Sequence, residues 1–185
     1  MKRLLHTVML ALVISLAVAL PGAASASASV PYCGITWGSL PKSDESALPI
    51  GLITNVRTGQ HYCYDRMVVD LNASGAGYLV QYVDNYSAEG SGIPIPLQGG
   101  AKLHVIIRAP VYDENSNVIY HATVGQTLPN IDLTGYRTFR DLKYGASFEG
   151  QTSFGLGVRA RLPFQVFKLD NPNRIIIDVA HQWSE

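Results

Sequence analysis

Charge is scarce in this sequence. Lysine plus arginine number 14, aspartate plus glutamate also 14, and the four types make up 15% of the 185 residues. A chain so balanced has no bulk field with which to hold nucleic acid or an anionic membrane, so no nucleic-acid partner is expected. Cysteine is scarcer still, with Cys33 and Cys63 alone. Histidines beyond the first 28 residues, His61, His104, His121 and His181, lack any spacing such as H-E-x-x-H. No metal site and no cofactor is therefore expected from local motifs. Helical periodicity is missing as well: no window repeats apolar residues every three to four positions, and 17 glycines and 10 prolines interrupt the chain. That disfavours a helical domain.

Only one long apolar run occurs. Met1, Lys2 and Arg3 lead into residues 4–20, broken by His6, Thr7 and Ser15 and closed by Pro21 and Gly22. Ala24-Ser25-Ala26 and Ala26-Ser27-Ala28 follow, each fitting the A-x-A cleavage rule. Residues 1–28 read as a secretory signal rather than an anchor, because spanning a bilayer takes about 20 apolar residues. Lipidation at Cys33 is disfavoured by Tyr32, which stands where a small residue is needed. The mature chain is then secreted to the cell envelope, with no stable membrane span and two more acidic than basic side chains. In an oxidising compartment Cys33 and Cys63 are expected to pair, stabilising the fold by about 3.5 kcal/mol in the chain-entropy view; the alternative is two buried free thiols.

Residues 29–50 carry Pro31, Pro41, Pro49, Gly34 and Gly38 with no periodicity and read as an extended arm, anchored by Trp37. Residues 51–185 read as one all-β domain. Short segments rich in Val, Ile, Tyr and Phe alternate with period two between Gly, Asn and Pro breakers. The expected strands are 52–57, 62–71, 78–83, 101–108, 118–123, 138–144, 152–162, 164–169 and 174–179. Polar turns at 113–117 and 170–173 read as hairpins, and at most a turn is expected near 128–133. In 152–162, Thr152, Phe154, Leu156, Val158, Ala160 and Leu162 share one face. Ser153, Gly155, Gly157, Arg159 and Arg161 share the other. That second face is either a bare binding platform or a surface covered by a neighbouring aromatic ring.

Three motifs match by letter and fail on physics. The run from Gly155 to Ala160 fits a dinucleotide glycine pattern but continues a strand into Pro163, with no helix N-terminus to hold a pyrophosphate. The segment from Gly145 to Gly150 resembles a nucleophile elbow but is one residue too long. Glu149 is the best-placed lone carboxylate for a hydrolase, yet more suited to pairing with Arg66, Arg159 or Arg161; no catalytic residue is assigned. Asn72 and Asn85 head glycosylation sequons that matter only in a eukaryotic host, and Tyr62, Tyr64, Tyr78, Tyr82 and Tyr86 suit cross-strand packing or a stacking face.

The stretch FEGQTSFGLGVRARLPFQVFKLDNPNRIIIDVAH resembles the end of an AMIN domain, with a Gly-Gln-Thr-like turn, a Phe-rich strand, an Asn-Pro turn and a closing R-[IV]-[IV]-[IV]-D-[VL] strand. Together with VRTGQHYCYDRMVVDL and GGAKLHVIIRAPVY, residues 51–181 resemble the AMIN-like domain of small exported actinobacterial proteins. The resemblance implies a two-sheet β-sandwich at the cell envelope, a targeting module of the kind attached to amidases or secretins and thought to bind peptidoglycan. No amidase or secretin sequence follows here, so such a module is expected to act alone or through a partner. Asp178, opposite in facing to Ile175, Ile177 and Val179, is expected to pair across strands with a basic group or to cap the strand end. The expected function is a non-catalytic module binding cell-wall glycan or peptidoglycan through Arg66, Glu149, Gln151, Arg159 and Arg161, guanidinium forks suiting wall carboxylates. The alternatives are a module docking an envelope protein by strand addition, and a wall hydrolase using Glu149.

Overall fold

A computed structural model describes residues 31–46 and 51–183. The signal segment 1–28 and residues 29, 30 and 47–50 of the arm lie outside the described residues. Nine strands run in chain order: β1 (Lys42–Asp44), β2 (Ile53–Gln60), β3 (Tyr64–Leu71), β4 (Tyr78–Val83), β5 (Ala101–Ile107), β6 (Phe139–Phe148), β7 (Gln151–Val158), β8 (Phe164–Leu169) and β9 (Arg174–Ala180). They form two sheets, β1-β4-β5-β7-β6 and β2-β3-β9-β8, with every pair antiparallel. No α-helix occurs among the described residues.

The alternation in the sequence places the core. Met67, Val69, Ile175, Ile177 and Val179 from one sheet meet Leu103, Val105, Ile107, Phe154, Leu156 and Val158 from the other, and all are fully buried. A strand sends successive side chains to opposite faces, so these every-second residues stack into one layer between the sheets. Truncating one of the large ones, such as Phe154, costs about 3–5 kcal/mol because the site cannot collapse around the void.

Both open sides of the sandwich are laced by non-regular chain. On one side the arm runs from the 3-10 turn Tyr32–Gly34 past an antiparallel bridge between Gly38 and Phe164, then pairs as β1 with β4. It thus touches the edge of one sheet and completes the edge of the other. The Cys33–Cys63 disulfide, with Cα atoms 6.4 Å apart, fixes its start to the β2–β3 turn. Trp37 anchors it as expected, packing 5.9 Å from the Tyr64 ring and donating its indole N–H to the Tyr32 carbonyl at 2.8 Å. The short strand β1 had no sequence signal of its own; it is held by Asp44, which pairs with Lys168 of β8 at 2.7 Å.

On the other side the β5–β6 connection packs Val111, Tyr120, Leu128 and Tyr136 onto the core. Here the strand expected over 118–123 does not form. Ile119 and Tyr120 both donate to the Val111 carbonyl, and a single bridge joins Tyr112 to Val118. Val118 and Ile119 remain exposed, so alternation there buries Tyr120 alone. The other expected strands form, with ends shifted: β7 stops at Val158 rather than 162, where the chain bends toward β8. The 113–117 turn closes as expected around Asp113, whose carboxylate accepts the Asn115 and Asn117 backbone N–H groups.

Candidate functional site

The decisive local feature is the 84–100 connection between β4 and β5, which folds back over the outer face of the five-stranded sheet. It forms a small hairpin of its own, with a Ser87–Pro94 bridge and hydrogen bonds between Tyr86 and Ile95 and between Ala88 and Ile93. Tyr86, Ala88, Ile95 and Leu97 bury together as a second, satellite cluster. The sheet has no side chains at Gly155 and Gly157 because this flap lies there. A Cβ on Gly155 would run into the Tyr86 ring and one on Gly157 into the Gln98 carbonyl. The bare-platform reading of that face is therefore corrected: an aromatic ring covers it, and strand glycines serve close approach.

Beneath the flap, His104 of β5 meets the Tyr86 ring edge-on at 5.3 Å. Its Nε2 lies 3.1 Å from Glu89 Oε1 without the geometry of a hydrogen bond, and the two form an ion pair only when the ring is protonated. Burial pushes the His104 pKa down, with Glu89 acting in the opposite sense.

At the edge of the flap Lys102 stands between two hollows. One, of about 640 Å³, is walled by Tyr86, Pro94, Ile95, Pro96 and Leu97, with Asn85 and Ser87 at its rim. The other, of about 260 Å³, is walled by Tyr82, Asp84, Gly100, Lys102 and Arg161. Lys102 Nζ donates to the Asp84 carbonyl at 3.1 Å. The Arg161 guanidinium lies over the Tyr82 ring at 4.9 Å. Tyr82 is fixed by donating its hydroxyl to the Leu162 carbonyl at 2.6 Å, and burial pushes its pKa up to about 12. Trp183, half exposed, donates its indole N–H to the Arg161 carbonyl at 3.1 Å. Among the described residues neither Lys102 nor Arg161 pairs with a carboxylate. The cleft therefore offers two uncompensated cations, one carboxylate and an apolar wall.

The residues expected to bind lie apart. Arg66, on the outer face of the four-stranded sheet, gives Nε and Nη2 to the two oxygens of Asp178 at 2.6 and 2.8 Å. It lies between the Tyr64 and Phe167 rings, at 5.1 and 5.5 Å. Of the two roles expected of Asp178 it is the cross-strand pairing that forms, and it occupies the fork that was expected to hold a ligand. Glu149 and Gly150, both at positive φ (48° and 76°), form the two-residue turn between β6 and β7, with exposed Gln151 beside it. Arg159 donates to the His181 carbonyl at 2.5 Å. Only Arg161 of the five reaches the cleft, and Gln151 is separated from it by the whole of β7, about 25 Å of strand.

Two further features are taken up by internal contacts. A hollow of about 450 Å³ lies beside Arg140, but that guanidinium is occupied by the Tyr136, Phe139 and Arg137 carbonyls. Asp65 and His181 form a buried pair at 3.0 Å, with Asp65 also taking the Thr138 and Phe139 N–H groups; sealed from solvent, it ties β3, β6 and β9 together.

Residues 51–181 match the family model of the AMIN-like domain. The chain belongs to the AMIN-like family. The matched region spans β2 to β9 and both hollows, and begins beyond the arm. AMIN-like domains are in general envelope-associated interaction modules, and the Cys33–Cys63 disulfide is consistent with an extracytoplasmic location. No helix among the described residues is long and apolar enough to cross a membrane. No curated protein and no solved structure matches the chain. Sequence reasoning missed Lys102 and Asp84, and reached Tyr82 only as one of five tyrosines suited to packing or stacking. The signal available was the length of the 84–100 connection, since a loop beyond about 12–15 residues with no regular structure usually carries function.

Proposed function

We propose that this AMIN-like protein is an exported, non-catalytic module that holds a cell-wall polymer in the Lys102 cleft. The observation that carries the reading is the pair of cations, Lys102 and Arg161, facing two adjoining hollows without a carboxylate partner among the described residues. A planar guanidinium and a mobile ammonium favour carboxylate acceptors, which wall peptides carry in quantity. Arg161 over Tyr82 is held in place before any ligand arrives, which lowers the ordering cost of binding.

Purified sacculi in a pull-down test this. Retention should exceed that of a charge-matched control protein and should fall to the control level in Lys102→Gln with Arg161→Gln. Retention equal to the control in the unaltered protein removes the proposal.

A second reading, docking of an envelope protein, draws on β2. Among the described residues that strand pairs only with β3, and it carries the polar run Thr54, Asn55, Arg57, Thr58 and Gln60 along an eight-residue edge. Strand addition there is favoured if crosslinking in the native host captures one stoichiometric protein while sacculi fail to retain the chain.

A further inference from the structure

We infer that the ligand group recognised by the cleft is the free carboxyl terminus of a short, alanine-type peptide rather than a sugar ring; this rests on the wall-polymer reading above. The first reason is the kind of apolar surface beside the charge. Sugar rings are held mainly by stacking on an exposed aromatic face. In the larger hollow the one aromatic ring, Tyr86, is only 3% exposed and faces the sheet, and in the smaller one the Tyr82 ring lies under the Arg161 guanidinium, so neither has a free face to offer. What lines the hollow instead is Pro94, Pro96, Ile95 and Leu97, an aliphatic wall suited to methyl groups.

The second reason is the sequence of chemistry across Lys102. Moving from the larger hollow to the smaller, a ligand meets the aliphatic wall, then the Lys102 ammonium, then Arg161 together with the exposed Asp84. A peptide end has the matching order: small apolar side chains, then a carboxylate for the two cations, with a neighbouring amide N–H for an acceptor such as Asp84. A phosphate or a polyanion has no N–H to give, and the Asp84 carboxylate would repel it. The inferred role of Asp84 is thus selective as well as attractive, since it discriminates against anions that have no N–H to donate.

Titration calorimetry on the mature, oxidised chain separates the outcomes. The probes are diacetyl-L-lysyl-D-alanyl-D-alanine, the same peptide with a C-terminal amide, and purified glycan strands stripped of peptide. The acid is expected to bind at least tenfold more tightly than the amide, because charge-assisted hydrogen bonds are about twice as strong as neutral ones. Arg161→Gln and Lys102→Gln should each bring the acid down to the level of the amide, and the strands should give no heat. Equal affinity for acid and amide, or binding of stripped strands without binding of the peptide, overturns the inference while leaving the wall-polymer reading standing. Failure of all three probes together with failure of the sacculus pull-down removes both. The acid against amide comparison uses the unaltered protein, so it decides even if a cleft variant fails to fold.

Discussion

Replacing Arg66 by methionine tests whether the ion pair on the outer face of the four-stranded sheet is structural. Asp178 is fully buried and takes three N–H groups: Arg66 Nε at 2.6 Å, Arg66 Nη2 at 2.8 Å and Gln165 Nε2 at 2.9 Å. The methionine keeps an aliphatic stem between the Tyr64 and Phe167 rings but leaves the carboxylate with the Gln165 amide alone. Breaking a buried pair on one side costs about 3–5 kcal/mol, chiefly because a charge is left unpaired. The Arg66 side chain is 22% exposed, so water reaches the gap in part and the lower end, about 3 kcal/mol, applies. Removing both charges, in Arg66→Met with Asp178→Leu, leaves nothing uncompensated and should return stability to within about 1 kcal/mol of the parent. Urea unfolding of the oxidised protein measures all three variants, with the single Asp178→Leu completing the cycle. A loss under about 1 kcal/mol for Arg66→Met, or a double variant as damaged as the sum of the singles, would refute the assignment. Sacculus retention of Arg66→Met should be unchanged at a temperature where it stays folded.

Two other outcomes follow from the fold. Cys33→Ser with Cys63→Ser should lower unfolding stability by about 3.5 kcal/mol, as the arm is no longer closed onto the β2–β3 turn; a change below about 1 kcal/mol in urea unfolding would mean the arm is held by its own pairing. The pH dependence of stability should carry a His104 component. Its folded pKa lies below the ordinary 6.5 because the ring is buried, so the unfolded chain takes up the proton first and stability falls as pH drops below about 6.5. His104→Gln should flatten the loss of Tm between about pH 7 and pH 5, and an unaltered slope would refute this.

The all-β architecture was legible because the core is built by strict alternation. Met67, Val69, Ile175 and Ile177 join the core between the sheets, while Val68 and Ile176, buried as well, stay outside that cluster on the opposite face. The fate of the residues on the outer faces was harder to read. Asp178 announced a partner by being a carboxylate in an apolar strand, and Arg66 lies directly opposite it in register. Gly155 and Gly157 announced only that something approaches closely; whether that is a ligand or the chain's own flap depends on a loop with no periodicity. Val118 to Thr123 alternates as well as a true strand does, and fails as one because it has no neighbour to pair with beyond Val111 and Tyr112. Lys42 to Asp44 succeeds without alternation, since an edge strand can be held by β4 and a surface ion pair.

The two central strands of the four-stranded sheet, β3 and β9, join residue 64 to residue 180, and the arm bridges Gly38 to Phe164. Assembly of this sandwich is accordingly a late event in the life of the chain. A polypeptide emerging from its amino end carries sticky, unmatched strands until the last stretch arrives, and one shortened ahead of Arg174 would lose the shared neighbour that both β3 and β8 require. The four-stranded sheet thereby cannot close around its centre until β9, Arg174 to Ala180, has been made.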